Sequence, residues 1–105
     1  MALLKGTLDV LVLKALSFGP RHGFEIIRWI ESGSRGEFVI ESAALLQALH
    51  RLEERRLLSA AWGITENNRK ARYYSLTSAG RAELKHEAAS IRSSVAALRA
   101  LLDTR

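Results

Sequence analysis

Arg69, Lys70 and Arg72 put three cations into four positions, directly after the polar run Thr65-Glu66-Asn67-Asn68. Closely spaced cations on a turn neutralise phosphates; they do not make or break covalent bonds. Other chemistries are poorly served. There is no cysteine, so disulfides, thiol nucleophiles and thiolate zinc sites are excluded. His22, His50 and His86 lie too far apart for a helical ligand pair, so neither a metal nor another cofactor is expected. No nucleophile elbow or phosphate-cradling glycine loop occurs, and His50 with Glu53 or Glu54 reads as a surface helix pair. An enzyme is not expected.

The charge is uneven along the 105 residues. Residues 1–50 balance five basic against five acidic side chains, whereas residues 51–105 hold eleven against six. The whole net charge of +5 therefore lies in the second half, and a basic surface attracts polyanions, nucleic acid first. With 48% hydrophobic residues the chain can build one small core. No apolar run approaches the ~18–20 residues of a membrane span. The start, Met1-Ala2-Leu3-Leu4-Lys5, does not read as a signal peptide, because Asp9 and Lys14 interrupt the apolar stretch. The expectation is a cytoplasmic protein with no membrane partner.

The elements that must position the cations follow from periodicity. Leu4, Leu8, Leu11 and Ala15 give a helix over 4–18, stopped by Gly19-Pro20. A second helix is expected from about Arg21 to Ser32, with Phe24, Ile27 and Trp29-Ile30 as its core stripe. Phe38-Val39-Ile40 reads as a short strand. A third helix over 42–56, with Ser42 as N-cap, has an inward stripe of Leu45, Ala48, Leu49 and Leu52. Its opposite face carries Ala43, Gln47, His50 and Glu54, flanked by Ala44, Leu46 and Arg51. Leu57–Trp62 and Arg72–Leu76 read as two strands of a hairpin with a basic tip. From Thr77 as N-cap to about Asp103 runs a last helix of ~25 residues, ~38 Å long. In it Leu84, Ala88, Ile91, Val95, Leu98 and Leu102 recur at alternating steps of four and three, a heptad seam that calls for a partner chain.

Three helices followed by a hairpin make the order of a winged helix-turn-helix, an α+β class that is mainly α. The expected division is residues 1–77 as DNA-binding unit and 78–105 as C-terminal dimerisation helix, packed as one compact unit. The sequence resembles the PadR family of bacterial transcriptional regulators. The resemblance is carried by Leu4-Lys5-Gly6-Thr7-Leu8-Asp9; by Gly19-Pro20 with His22-Gly23-Phe24; and by Ala48-Leu49-His50-Arg51-Leu52-Glu53. It continues through Trp62, Glu66-Asn67-Asn68-Arg69, Tyr73-Tyr74, Leu76-Thr77 and Ala79-Gly80-Arg81. It covers residues 3–84 and implies a homodimer that represses transcription. In several family members a small-molecule effector releases the DNA.

One stretch departs from the family pattern. A Gly-Ser-Leu-Tyr-Pro-like run is usual at the start of the recognition helix, where this chain has Ala43-Ala44-Leu45-Leu46-Gln47. The hydroxyls that the resemblance would assign to DNA contact are missing. Ala43 and Ala44 can still touch thymine methyls, and Gln47 can pair with an adenine edge. Double-stranded DNA is thus expected to meet Ala43, Ala44, Gln47 and the wing residues Asn68, Arg69, Lys70 and Arg72, with Lys5 as a further phosphate contact. Arg51 either reaches DNA or pairs with Glu54 or Glu41. His50 is a reader or a plain surface histidine, and His22 serves the turn into the second helix. Asn67 and Asn68 suit a turn with positive φ. Trp62, Tyr73 and Tyr74 read as hairpin core, with one tyrosine turned outward. By resemblance an effector would sit among Leu8, Val12, Ile91, Val95 and Leu98, although the same residues also suit a dry dimer core. The alternative to a DNA-binding regulator is a dimeric protein-interaction module that kept the fold and lost DNA recognition.

Overall fold

The computed structural model describes residues 6–105, so Leu4 and Lys5 lie outside the described residues. Its elements are α1 (Thr7–Leu16), β1 (Arg21–His22), α2 (Gly23–Gly33), α3 (Ser42–Glu54), β2 (Leu58–Ile64), β3 (Lys70–Leu76) and α4 (Ser78–Leu102). The strands form an antiparallel sheet in the order β1-β3-β2. This is a mainly helical α+β fold: a three-helix body, a two-stranded wing with a short third strand at its edge, and a long C-terminal helix.

α1 is enclosed. Val12, Leu13, Ala15 and Leu16 are buried, joined by Ile26 and Ile30 of α2, Leu45, Leu49 and Leu52 of α3, and Leu58 and Tyr74 of the sheet. Fully burying a leucine or isoleucine contributes ~1.5–3 kcal/mol, so this cluster outweighs any single polar contact at the surface. After Gly19, at φ 135°, and Pro20, the chain does not enter α2 at Arg21 as the sequence suggests. Arg21 and His22 instead pair with Tyr74 and Tyr73 of β3. His22 then caps α2 in a reciprocal arrangement: the Glu25 N–H donates to His22 Nδ1, and the His22 N–H donates to Glu25 Oε1. The structural role expected for His22 is this cap.

Phe38-Val39-Ile40 forms no strand. The Ile40 N–H donates to Glu31 Oε2 at 2.9 Å and the Phe38 N–H to Ser34 Oγ at 3.1 Å, so side chains of α2 and its C-cap take the donors a strand partner would need. α3 starts with Glu41, not Ser42, at its N-cap, and without a side-chain cap. A proline at position 47 would interrupt the backbone ladder, whereas Gln47 lets α3 run unbroken from Ser42.

α4 is fastened to the base of the wing. The Thr77 hydroxyl accepts from the Gly80 N–H at 3.0 Å and lies 2.8 Å and 3.0 Å from the carbonyl oxygens of Arg56 and Leu57. Gly80 is buried so closely against the Leu57 carbonyl that no side chain fits there. From this anchorage α4 has two unlike halves. Leu84, Ala88 and Ile91 are half-buried, and Leu84 packs on the core. Val95, Leu98, Leu101 and Leu102 are exposed, Leu102 at 81%. The projecting helix makes the molecule 56 Å long against 29 Å and 21 Å in the other directions. Among the described residues no helix is long and apolar enough to cross a membrane.

Candidate nucleic-acid interface

α3 buries Leu45, Ala48, Leu49 and Leu52 and exposes Ser42, Ala43, Ala44, Leu46, Gln47, His50, Arg51 and Glu54. The four buried positions recur at helical spacing, so core packing alone fixes which face turns outward. That face is poor in donors over its first turns, and Leu46 stands 52% exposed in the middle of it. Arg51 pairs with neither Glu54 nor Glu41; its guanidinium bonds to Asp9 of α1 at 2.8 Å. A pair across elements so distant in sequence could not be read from helical spacing.

The wing is longer than the sequence suggests, since pairing continues from Leu58↔Leu76 to Ile64↔Lys70. Its tip closes with the Thr65 N–H donating to the Arg69 carbonyl at 2.8 Å and the Asn68 N–H donating to the Thr65 carbonyl at 2.9 Å. Asn68 has φ 59°, the left-handed turn expected of an asparagine. Arg69 and Lys70 are exposed and have no carboxylate within 4 Å among the described residues.

Arg72 departs from the expectation of a free phosphate clamp. Its guanidinium bonds to Glu53 of α3 at 2.8 Å and lies over the Tyr74 ring. It braces the wing against α3, and its charge is already answered by a carboxylate. Trp62 departs further: expected in the hairpin core, it is 67% exposed, with Lys70 Nζ 5.6 Å from its ring centroid. Of the two tyrosines, Tyr74 is buried, while Tyr73 is half-buried with its ring edge-on to His22 and is not free at the surface. Alternation tells which face a strand residue takes but not how far the core extends beneath it.

The residues of the expected effector site differ in exposure within the protomer. Val12 is 0% exposed and belongs to the core, so it lines no ligand space within the protomer. Leu8 and Ile91 are half-buried, while Val95 and Leu98 face outward on α4. The cleft between α1 and α4, about 220 Å³, is lined instead by Lys14, Arg81, Lys85 and Arg92, with Leu84 and Ala88. The expected dimerisation residues keep one helix face, from half-buried Leu84, Ala88 and Ile91 to exposed Val95, Leu98 and Leu102.

Known proteins resemble this chain in sequence and in fold. An uncharacterised protein of Lysinibacillus sphaericus is 32% identical over 82 residues, which are 78% of this chain and 75% of the relative. A PadR family transcriptional regulator from Eggerthella lenta has a similar structure, with a TM-score of 0.81 and 27% identity over 96% of this chain and 86% of that one. Bacillus subtilis PadR, solved in complex with operator DNA, aligns with a TM-score of 0.69 and 18% identity over 79% of this chain and 47% of that one. At that identity it speaks for the fold alone. The model of the transcriptional regulator PadR-like family matches residues 12–86, from the core of α1 through the wing into α4, and the chain belongs to that family.

Proposed function

We propose that the protein is a sequence-specific DNA-binding regulator that acts as a homodimeric repressor. The observation that carries this reading is the placement of two cations, Arg69 and Lys70, with no carboxylate within 4 Å among the described residues, on a wing that Arg72 braces against Glu53 of α3. The operator complex of Bacillus subtilis PadR supports the same assignment through the shared fold. α3 enters the major groove, where Ala43 and Ala44 meet thymine methyls and Gln47 meets an adenine edge. Arg69 and Lys70, with Asn68 at the turn, hold phosphates. Lys5 adds a further phosphate contact. Arg51 and Arg72 fix α3 in place through Asp9 and Glu53. On this reading residues 1–77 bind DNA and residues 78–105 pair the two protomers.

The exposed half of α4 supports the dimer. Val95, Leu98 and Leu102 prolong the face that Leu84, Ala88 and Ile91 begin, and a second α4 covers them. Two recognition helices then meet major-groove faces about 34 Å apart. An effector acts by changing the angle between the paired helices. The four cations of the α1–α4 cleft favour an anionic effector over a cationic one.

Titration of a labelled random-sequence duplex at rising salt tests the reading. A dimer using three to four phosphates per subunit gives a log–log slope of roughly −5 to −7. No binding at ~50 mM salt, from folded dimer, leaves the interaction-module reading in its place.

A further inference from the structure

We infer that Trp62 and Ile64 form an apolar contact surface for duplex DNA, seated against the sugar–phosphate wall of the minor groove beside the segment read by α3. The inference rests on the DNA-binding reading above. It assigns to the wing a kind of contact that its cations do not make.

The strand register sets the arrangement. Trp62 pairs with Arg72 and Ile64 with Lys70, so these four share a face with Leu58, Ala60, Tyr74 and Leu76. At the base of the hairpin that face closes the core, where Leu58 is 3% and Tyr74 4% exposed. Towards the tip the same face runs past the helices, and Trp62 and Ile64 stand 67% and 62% exposed. A sheet face that leaves its core normally turns polar, and here it presents an indole and a branched aliphatic side chain to water. Arg72, on the same face, reaches Glu53 of α3, so the face is turned towards the recognition helix.

The surroundings select the occupant. Between Thr65 and Arg72, with Arg72 paired to Glu53, the cations Arg69 and Lys70 outnumber the one acid, Glu66, which suits a polyanion. Lys70 Nζ lies 5.6 Å from the Trp62 ring centroid, so a phosphate drawn to Lys70 arrives beside the indole. A strand rises ~3.3 Å per residue, which puts Trp62 ~13 Å beyond Leu58 and away from the start of α4. In the minor groove, apolar side chains pack on deoxyribose or wedge at base steps, and their contribution releases no counterions.

The chain has two tryptophans, and Trp29→Phe leaves Trp62 as the sole indole reporter. On titration with a labelled random-sequence duplex, its emission should shift to the blue and its quenching by acrylamide should fall severalfold as the label's anisotropy saturates. Trp62→Ala should weaken binding about ten-fold while leaving the salt slope unchanged, in contrast to loss of a cation, which flattens it. Unchanged Trp62 emission at saturating DNA overturns the inference while leaving the DNA-binding reading intact. So does wild-type affinity in Trp62→Ala. Shielding of Trp62 that follows protein concentration without DNA also overturns it, by showing a second copy on this face. A flat anisotropy of the label removes both readings together. The emission measurement needs no change in the wing, so it stands even if Trp62→Ala misfolds.

Discussion

On α3 the outward side chains of the first turns are Ser42, Ala43, Ala44, Leu46 and Gln47, and Arg51 is held by Asp9 at 2.8 Å. On the wing, Arg69 and Lys70 face solvent with no carboxylate within 4 Å among the described residues, next to exposed Trp62 and Ile64. The two regions are joined by the Arg72–Glu53 ion pair, and on the proposed reading they divide the work of recognition unequally. On the proposed reading long-range attraction falls to the wing, because its two tip cations have no carboxylate within 4 Å among the described residues, whereas the cation of α3, Arg51, is paired. On the same reading discrimination falls to a few short contacts on α3, whose first turns present methyl groups and one amide beside the Ser42 hydroxyl.

Four variants break or sharpen that division. The largest effect is expected from Val95→Asp with Leu98→Asp, which sets like charges into the exposed seam of α4. Sedimentation should show a folded monomer, and DNA affinity should fall roughly a hundred-fold or more as the second binding event ceases to be intramolecular. Next, Arg69→Ala with Lys70→Ala should weaken binding to every duplex and flatten the log–log salt slope by between about three and four units, two phosphates per subunit. Unchanged binding would refute the wing assignment. The converse pair, Ala44→Ser with Leu46→Tyr, restores hydroxyls to α3. It should raise the preference for a selected operator over random DNA at least about ten-fold, with the salt slope unaltered. The smallest effect is expected from Asp9→Ala, which frees Arg51 for DNA. Affinity should rise severalfold and the slope should steepen by up to about two units, one phosphate per subunit. A loss of affinity instead would show that Arg51 serves chiefly to hold α3.

The order of elements was legible in the sequence because the inward stripes of α1, α3 and α4 recur at helical spacing and Thr77 announces the last cap. What escaped was decided by tertiary contacts. Arg21 and His22 look like the start of a helix, yet they complete a sheet through Tyr73 and Tyr74. Phe38–Ile40 has strand chemistry, but Glu31 and Ser34 take two of its donors. The candidate interface was legible as a set of cations but not as free and held ones. Asp9 and Glu53 lie 42 and 19 residues from the arginines they bind. Trp62 fits a hairpin core by type, and only the extent of the helical body beneath β2 leaves it in water.

The anchorage at Thr77 and Gly80 has a mechanical consequence. The backbone of α4 and the carbonyls at the base of β2 are in direct contact there, so a tilt of α4 is transmitted to the hairpin without slack. Seven residues of strand make a lever arm of roughly 20 Å, over which a tilt of about 10° moves the wing tip by about 3 Å, close to one base-pair rise. Thr77→Ala would remove the hydroxyl that ties α4 to these carbonyls and loosen this linkage, so that on the proposed reading the grip of the wing answers less to the angle of the C-terminal helix.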